Sequence, residues 1–214
     1  MKKAVCVAIL AVLLMISCAG AEEIGTEMWA HEAGWMSFQL ALSQDSLDEV
    51  WVESAKSFGE SLGVANLPVE SMKRMLLAGF SMESGVEELY VEGNRITGRN
   101  ADGTEVFSHE YAWKETIEDE KIMGGKKVHV FRTEEKGAGD YTCLLMTEPV
   151  KTEGENAGYV TFNLFCLGDK YRERLTAGKD AAVPMPCTMV EKDTETAGLV
   201  FAVERMFKNP VIIR

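Results

Sequence analysis

The chain has 214 residues, carries 22 Lys+Arg against 34 Asp+Glu, and has a formal net charge of −12. That length suits one domain with a proper core. So acidic a chain, with no basic run, repels phosphate backbones, which excludes nucleic acid as a partner.

Met1–Ala21 has the pattern of a secretory signal peptide. Lys2 and Lys3 precede the uncharged apolar run Ala4–Ile16, and Ala19-Gly20-Ala21 forms an A-x-A cleavage site before Glu22. The run is too short to span a bilayer comfortably. Export is therefore expected, with 22–214 as a single domain. A second ending is also present. Cys18, after Leu14-Met15-Ile16-Ser17, resembles the lipidated cysteine of the bacterial lipoprotein box, although Met15 stands where that box usually has leucine. Lipidation there would tether the domain to a membrane face, its sole expected membrane contact.

Helical signals follow. Ser46-Leu47-Asp48-Glu49 reads as a capping box, and Leu47, Val50, Trp51, Ala55 and Phe58 recur at helix spacing. Pro68 opens a second helix with an apolar stripe of Met72, Met75, Leu76 and Phe80. Strand signals take over after Gly85, as Val86–Val91, Arg95–Arg99, Thr104–Trp113, Lys127–Thr133, Asp140–Thr147 and Tyr159–Leu167, with Gly/Asn/Asp turns between several of them. Glu115–Lys127 and Pro149–Gly158 are expected as long loops. Asp169–Ala177 reads as a short helix. Thr194 is expected to cap a last helix in which Leu199, Val203, Met206 and Phe207 share a face. This succession predicts an antiparallel meander closing into a small barrel.

Three cysteines follow the signal segment: Cys143, Cys166 and Cys187. An oxidising compartment permits one disulfide, either Cys143–Cys166 across a sheet or Cys166–Cys187 around a small helix. No C-x-x-C motif supports a zinc ribbon or thioredoxin-type chemistry. No G-x-S-x-G elbow, P-loop or H-E-x-x-H motif is present either, so an enzyme is not expected.

Several segments carry a family likeness. Gly34-Trp35-Met36-Ser37 is followed by Leu47-Asp48-Glu49-Val50. Ala78-Gly79-Phe80 leads into Val86–Ile96. His109-Glu110-Tyr111, Phe131 and Gly139-Asp140-Tyr141 make a tyrosine-bearing hairpin, and Phe162–Gly168 runs through a Gly-Asp turn into Asp169–Leu175. In this order they resemble the ZinT-type family, periplasmic zinc- and cadmium-binding proteins with a lipocalin-like barrel and an added helical part. The resemblance implies a mainly β fold: a lipocalin-like (calycin) antiparallel β-barrel with N-terminal helices and a C-terminal helix. It also implies zinc as the ligand, with cadmium as a second metal, bound without catalysis in the bacterial cell envelope.

The likeness departs at the metal site. Two histidines on the family's matching strand bind metal there; here Thr161 and Asn163 occupy their places, and both are poor zinc ligands. The chain has three histidines in all: His31, His109 and His129. His31 lies among Glu22, Glu23, Glu27 and Glu32 in a segment able to fold over a barrel mouth and offer mixed N/O ligands. His109 and His129 sit on expected strands, and if both face inward they can share an ion with a carboxylate. These three are the candidate ligands. Metal held by neutral imidazole and carboxylates is released as pH falls. The alternative is a barrel that has lost metal and takes a small apolar ligand or an envelope protein, with Trp113, Tyr141, Phe162 and Phe165 lining a pocket or packing the core.

Overall fold

The computed structural model describes residues 24–64, 66–78, 85–120, 122–154, 158–176 and 186–208. The signal segment, Cys18 and Phe80 lie outside them. Among the described residues ten strands form one antiparallel sheet: β1 (Trp35–Ser37), β2 (Glu88–Glu92), β3 (Arg95–Arg99), β4 (Glu105–Glu110), β5 (Ala112–Ile117), β6 (Val128–Arg132), β7 (Cys143–Thr147), β8 (Val150–Lys151), β9 (Val160–Cys166) and β10 (Cys187–Glu191). The α-helices of the described residues are α1 (Phe38–Leu42), α2 (Asp48–Leu62), α3 (Val69–Ala78), α4 (Tyr171–Thr176) and α5 (Thr196–Lys208).

The strand order is β4-β3-β2-β1-β10-β9-β7-β6-β5, with β8 beside β9. Its two ends are consecutive in the chain. The expected strand Thr104–Trp113 breaks at Tyr111, so that β4 pairs with β3 while β5 pairs with β6. One bent run thus contributes to both ends of the sheet and nearly closes it into a barrel. Tyr111 fixes the corner: its amide donates to Asn94 O (2.8 Å) and its hydroxyl to Tyr141 O (2.7 Å). The lipocalin-like barrel read from the sequence is the observed fold.

Strand alternation sorts the side chains by face. Trp35, Leu89, Ile96, Phe131, Leu144, Met146, Phe162 and Met189 fill the barrel. Met36 and Val190, on the outer face of β1 and β10, are covered by Leu42, Leu47 and Trp51 and by Leu199, Val203 and Phe207 of α5. Val130, Leu145 and Phe165, on the outer face of β6, β7 and β9, are covered by Tyr171 and Leu175 of α4.

Several local expectations are corrected. The capping box does not form: a 3₁₀ turn, Asp45–Leu47, runs straight into α2 with no side-chain cap at Leu47. Pro68 precedes α3, and its carbonyl accepts the Met72 amide at 3.0 Å. On α3 the buried residue is Leu77, whereas Met75 is 62% exposed. Thr194 does not cap α5; its hydroxyl turns back to Glu191 O at 2.7 Å. Glu115–Ile117 belong to β5 and Val150–Lys151 to β8, inside stretches expected as loops. The three described cysteines are buried, and no disulfide joins any two of them. Cys143 packs outside the barrel while Cys166 and Cys187 pack inside it, so the sheet itself separates Cys143 from Cys166.

Candidate metal centre

One end of the barrel is crossed by the segment 24–34. A 3₁₀ turn, Glu27–Trp29, lowers Trp29 into the barrel, where it is fully buried. Gly34 then takes the chain into β1 with φ +76° while packed against the Tyr90 ring. A Cβ at Gly34 would lie 2.7 Å from that ring and 3.0 Å from Leu89 O. Gly34→Ala is accordingly expected to destabilise the protein by about 1 kcal/mol or more, since it combines a left-handed backbone with a steric clash. Chemical denaturation would measure this.

The segment places His31 beside Trp35, with ring centroids 5.7 Å apart. Across from it, β10 ends at Glu191, which pairs with Trp35 and therefore shares its inward face. The following turn is closed by the Thr194 amide, which donates to Glu191 O at 3.1 Å. Lys192 points away from His31, with its Nζ 2.7 Å from the Tyr90 hydroxyl and 2.6 Å from Glu88 Oε1. Burial works against ionisation of Glu88, but the Lys192 and Tyr90 hydrogen bonds and the ammonium charge outweigh it and hold the carboxyl below its ordinary range. Lys192 N also donates to Gly34 O (3.0 Å), tying this turn to the crossing segment. Glu191 and Asp193 are left facing His31.

His31 Nε2 lies 3.6 Å from Glu191 Oε1 and 3.6 Å from Asp193 Oδ1. All three donor atoms fall within 4.8 Å of one another. Burial raises the Glu191 carboxyl above its ordinary range; His31 opposes the shift and Asp193 adds to it. His31 Nδ1 is buried without a hydrogen-bond partner. Neither Glu191 nor Asp193 stood out in the sequence; the only signal was an acidic Glu-Lys-Asp turn far along the chain from His31.

The other histidines lie elsewhere. His109 on β4 pairs with inward-facing Ile96, and its Nδ1 is 3.0 Å from Glu135 Oε2. His129 on β6 pairs with inward-facing Met146; its Nδ1 is 2.9 Å from Thr116 Oγ1 and its Nε2 3.4 Å from Glu148 Oε1. Both face inward, but each meets a different carboxylate. Among the described residues only His31 stands with two further donors. Thr161 and Asn163 alternate with Phe162 and Leu164, which fill the barrel, so both face outward. Asn163 Oδ1 accepts from Thr188 Oγ1 (3.2 Å) and its amide donates to Thr147 Oγ1 (2.9 Å). A separate cavity of about 410 Å³ opens beside Phe107, His109, Tyr141 and Cys166.

The fold and this rim cluster define a lipocalin-like barrel with a helical layer and an N/O donor set at one end. No protein-family model and no curated protein matches the chain. Among solved structures it is similar to Zn(II)-bound AdcA from Streptococcus pneumoniae, with 16% identity and a TM-score of 0.50 over 89% of this chain and 36% of that one. The chain thus spans about a third of the length of AdcA. It also aligns with the Zn(II)-bound ZinT-like domain of the same AdcA, with 16% identity and a TM-score of 0.48 over 89% of this chain and 93% of that one. The first likeness establishes a shared fold, and the ZinT-type resemblance read from the sequence is borne out at that level.

Proposed function

We propose that the chain is an exported, non-catalytic binding protein for a divalent cation, zinc first and cadmium second, which it holds through His31, Glu191 and Asp193. The carrying observation is the 3.6 Å separation of His31 Nε2 from each carboxylate oxygen. That spacing is too long for a hydrogen bond. It is close to the distance of about 3.3–3.5 Å between neighbouring ligands around tetrahedral zinc with bonds of 2.0–2.2 Å. One imidazole and two carboxylates suit zinc chemically, and three protein donors leave a coordination position open. That AdcA, which shares the fold, is Zn(II)-bound agrees with this reading. The signal-peptide pattern supports export to the cell envelope, and mass spectrometry of the mature N-terminus separates an end at Glu22 from a lipidated Cys18.

The direct test is calorimetric titration with zinc alongside thermal unfolding. Binding at micromolar affinity or better is expected, with a stabilisation of about 2.7 kcal/mol when free zinc is 100 times Kd. His31→Ala and Glu191→Gln should each weaken binding at least tenfold. An unmodified chain that takes up no zinc would sink the proposal. The alternative, a small organic ligand, has the Phe107–Tyr141 cavity in its favour; organic extraction of the purified protein that yields a bound small molecule would support it.

A further inference from the structure

We infer that Trp29 is the positioning residue of the metal site, the anchor through which His31 reaches Glu191 and Asp193. The inference rests on the metal-binding reading above. Of the three donors, two belong to a turn already fixed at the end of β10. The third is carried by a segment rich in glutamate, which on composition alone would remain a solvated tail.

Trp29 is what holds that segment. Its indole is fully buried, edge-on to His129 at 5.5 Å and to Phe131 at 5.2 Å. Its Nε1 donates to Thr147 O at 2.9 Å. Its carbonyl accepts Trp35 Nε1 at 2.7 Å, and its amide donates to Thr26 O at 3.0 Å. Thr26 in turn donates through its hydroxyl to Gly93 O. His31 follows two residues later. Its carbonyl accepts the Gly34 amide at 2.9 Å, and its ring rests near Trp35. Seating the Trp29 indole therefore sets where the His31 imidazole stands. A ligand that needs the seated form binds with an apparent Kd divided by the seated fraction. An unseated Trp29 weakens binding even though all three donors remain in the chain.

The test is a double-mutant cycle on the purified chain, with the zinc Kd read by chelator competition and folding read by thermal unfolding. Trp29→Ala is expected to weaken zinc binding by about 10- to 100-fold, the range found when groups that orient metal ligands are removed. Adding His31→Ala to Trp29→Ala should then cause little further loss, because the imidazole is already misplaced. Trp29→Phe keeps an aromatic ring in the barrel but loses the bond to Thr147 O; it should fold and bind between wild type and Trp29→Ala. It carries the test if the alanine variant does not fold. Additive losses for Trp29 and His31 would overturn the inference, as would unchanged affinity in a folded Trp29 variant when His31→Ala still weakens binding. In both cases the metal-binding reading survives. If the unmodified chain takes up no zinc, both fall together.

Discussion

Replacing Phe162 with alanine is expected to lower the unfolding free energy by about 3–5 kcal/mol, the range for deleting a fully buried aromatic side chain. Phe162 is 1% exposed at the centre of β9. Its ring meets Trp35 edge-on at 4.8 Å and 90°. It lies opposite Met189 of β10, while Trp35 lies opposite Glu191 of the same strand. The aromatic contact thus reaches across β10 from β9 to β1, and that pair contributes about 0.5–1.5 kcal/mol beyond buried area. Alanine would leave a cavity between three strands that the barrel cannot collapse without changing register. A domain of this size has about 5–15 kcal/mol in all, so the variant loses a large share of it. Urea unfolding should show a lower midpoint at an unchanged slope. Val52→Ala, on the exposed side of α2, should stay within about 0.5 kcal/mol of wild type. A Phe162→Ala loss no larger than that of Val52→Ala would show that Phe162 is not a core residue of the barrel.

What the sequence revealed and what it concealed divide along one physical line. The hairpin of β2 and β3 is legible because its signal is local: alternating apolar residues on either side of a Gly93-Asn94 turn. The same holds for β6, β7 and β9, and for the apolar face of α5. Strands β1 and β10 are not legible that way. β1 has three residues, and its partners β2 and β10 come from opposite halves of the chain. Pairing of that kind leaves no periodic trace. The break at Tyr111 is equally hidden, because Thr104–Trp113 reads as one strand and only closure of the sheet requires it to bend. Met75 and Leu77 exchange places because α3 meets its neighbours on a single narrow face.

The candidate site follows the same division. His31 is visible as a lone imidazole among carboxylates. Its partners Glu191 and Asp193 are not, since they reach it only through the unforeseen pairing of β1 with β10. The outward turn of Thr161 and Asn163 has a simpler origin. Strand alternation gives the inward places to Phe162 and Leu164, so a one-residue displacement in matching the strand exchanges the faces.

Stability is expected to fall as pH drops below about 6.5, and His129 is the cause. Its side chain is 2% exposed, inside the barrel beneath Trp29. Burial depresses its pKa and nearby Lys127 adds to this, whereas Glu148 pulls the other way; the net shift is downward. Above about 6.5, the ordinary imidazole value, folded and unfolded chains both hold it neutral and it contributes no slope. Below that value the unfolded chain takes up a proton that the folded chain refuses. Stability then declines with falling pH, by at most about 1.4 kcal/mol per unit, until the lowered folded-state pKa is passed. The carboxylates held below their ordinary range, Glu88 and Glu135, lose their contribution only in more acid solution. Glu191, raised by burial, slopes in the opposite direction. Across the interval from pH 6.5 to 5 the histidine's share is therefore the difference between wild type and His129→Gln, which both keep Glu191. Denaturant midpoints across it should decline in wild type and flatten in His129→Gln. Glu148→Gln removes the one neighbouring group that favours the charged ring, so its decline should extend to lower pH than in wild type. A wild-type profile that parallels that of His129→Gln from pH 7 to 5, or a Glu148→Gln profile that ends its decline sooner, would mean that His129 takes up its proton inside the folded barrel without penalty.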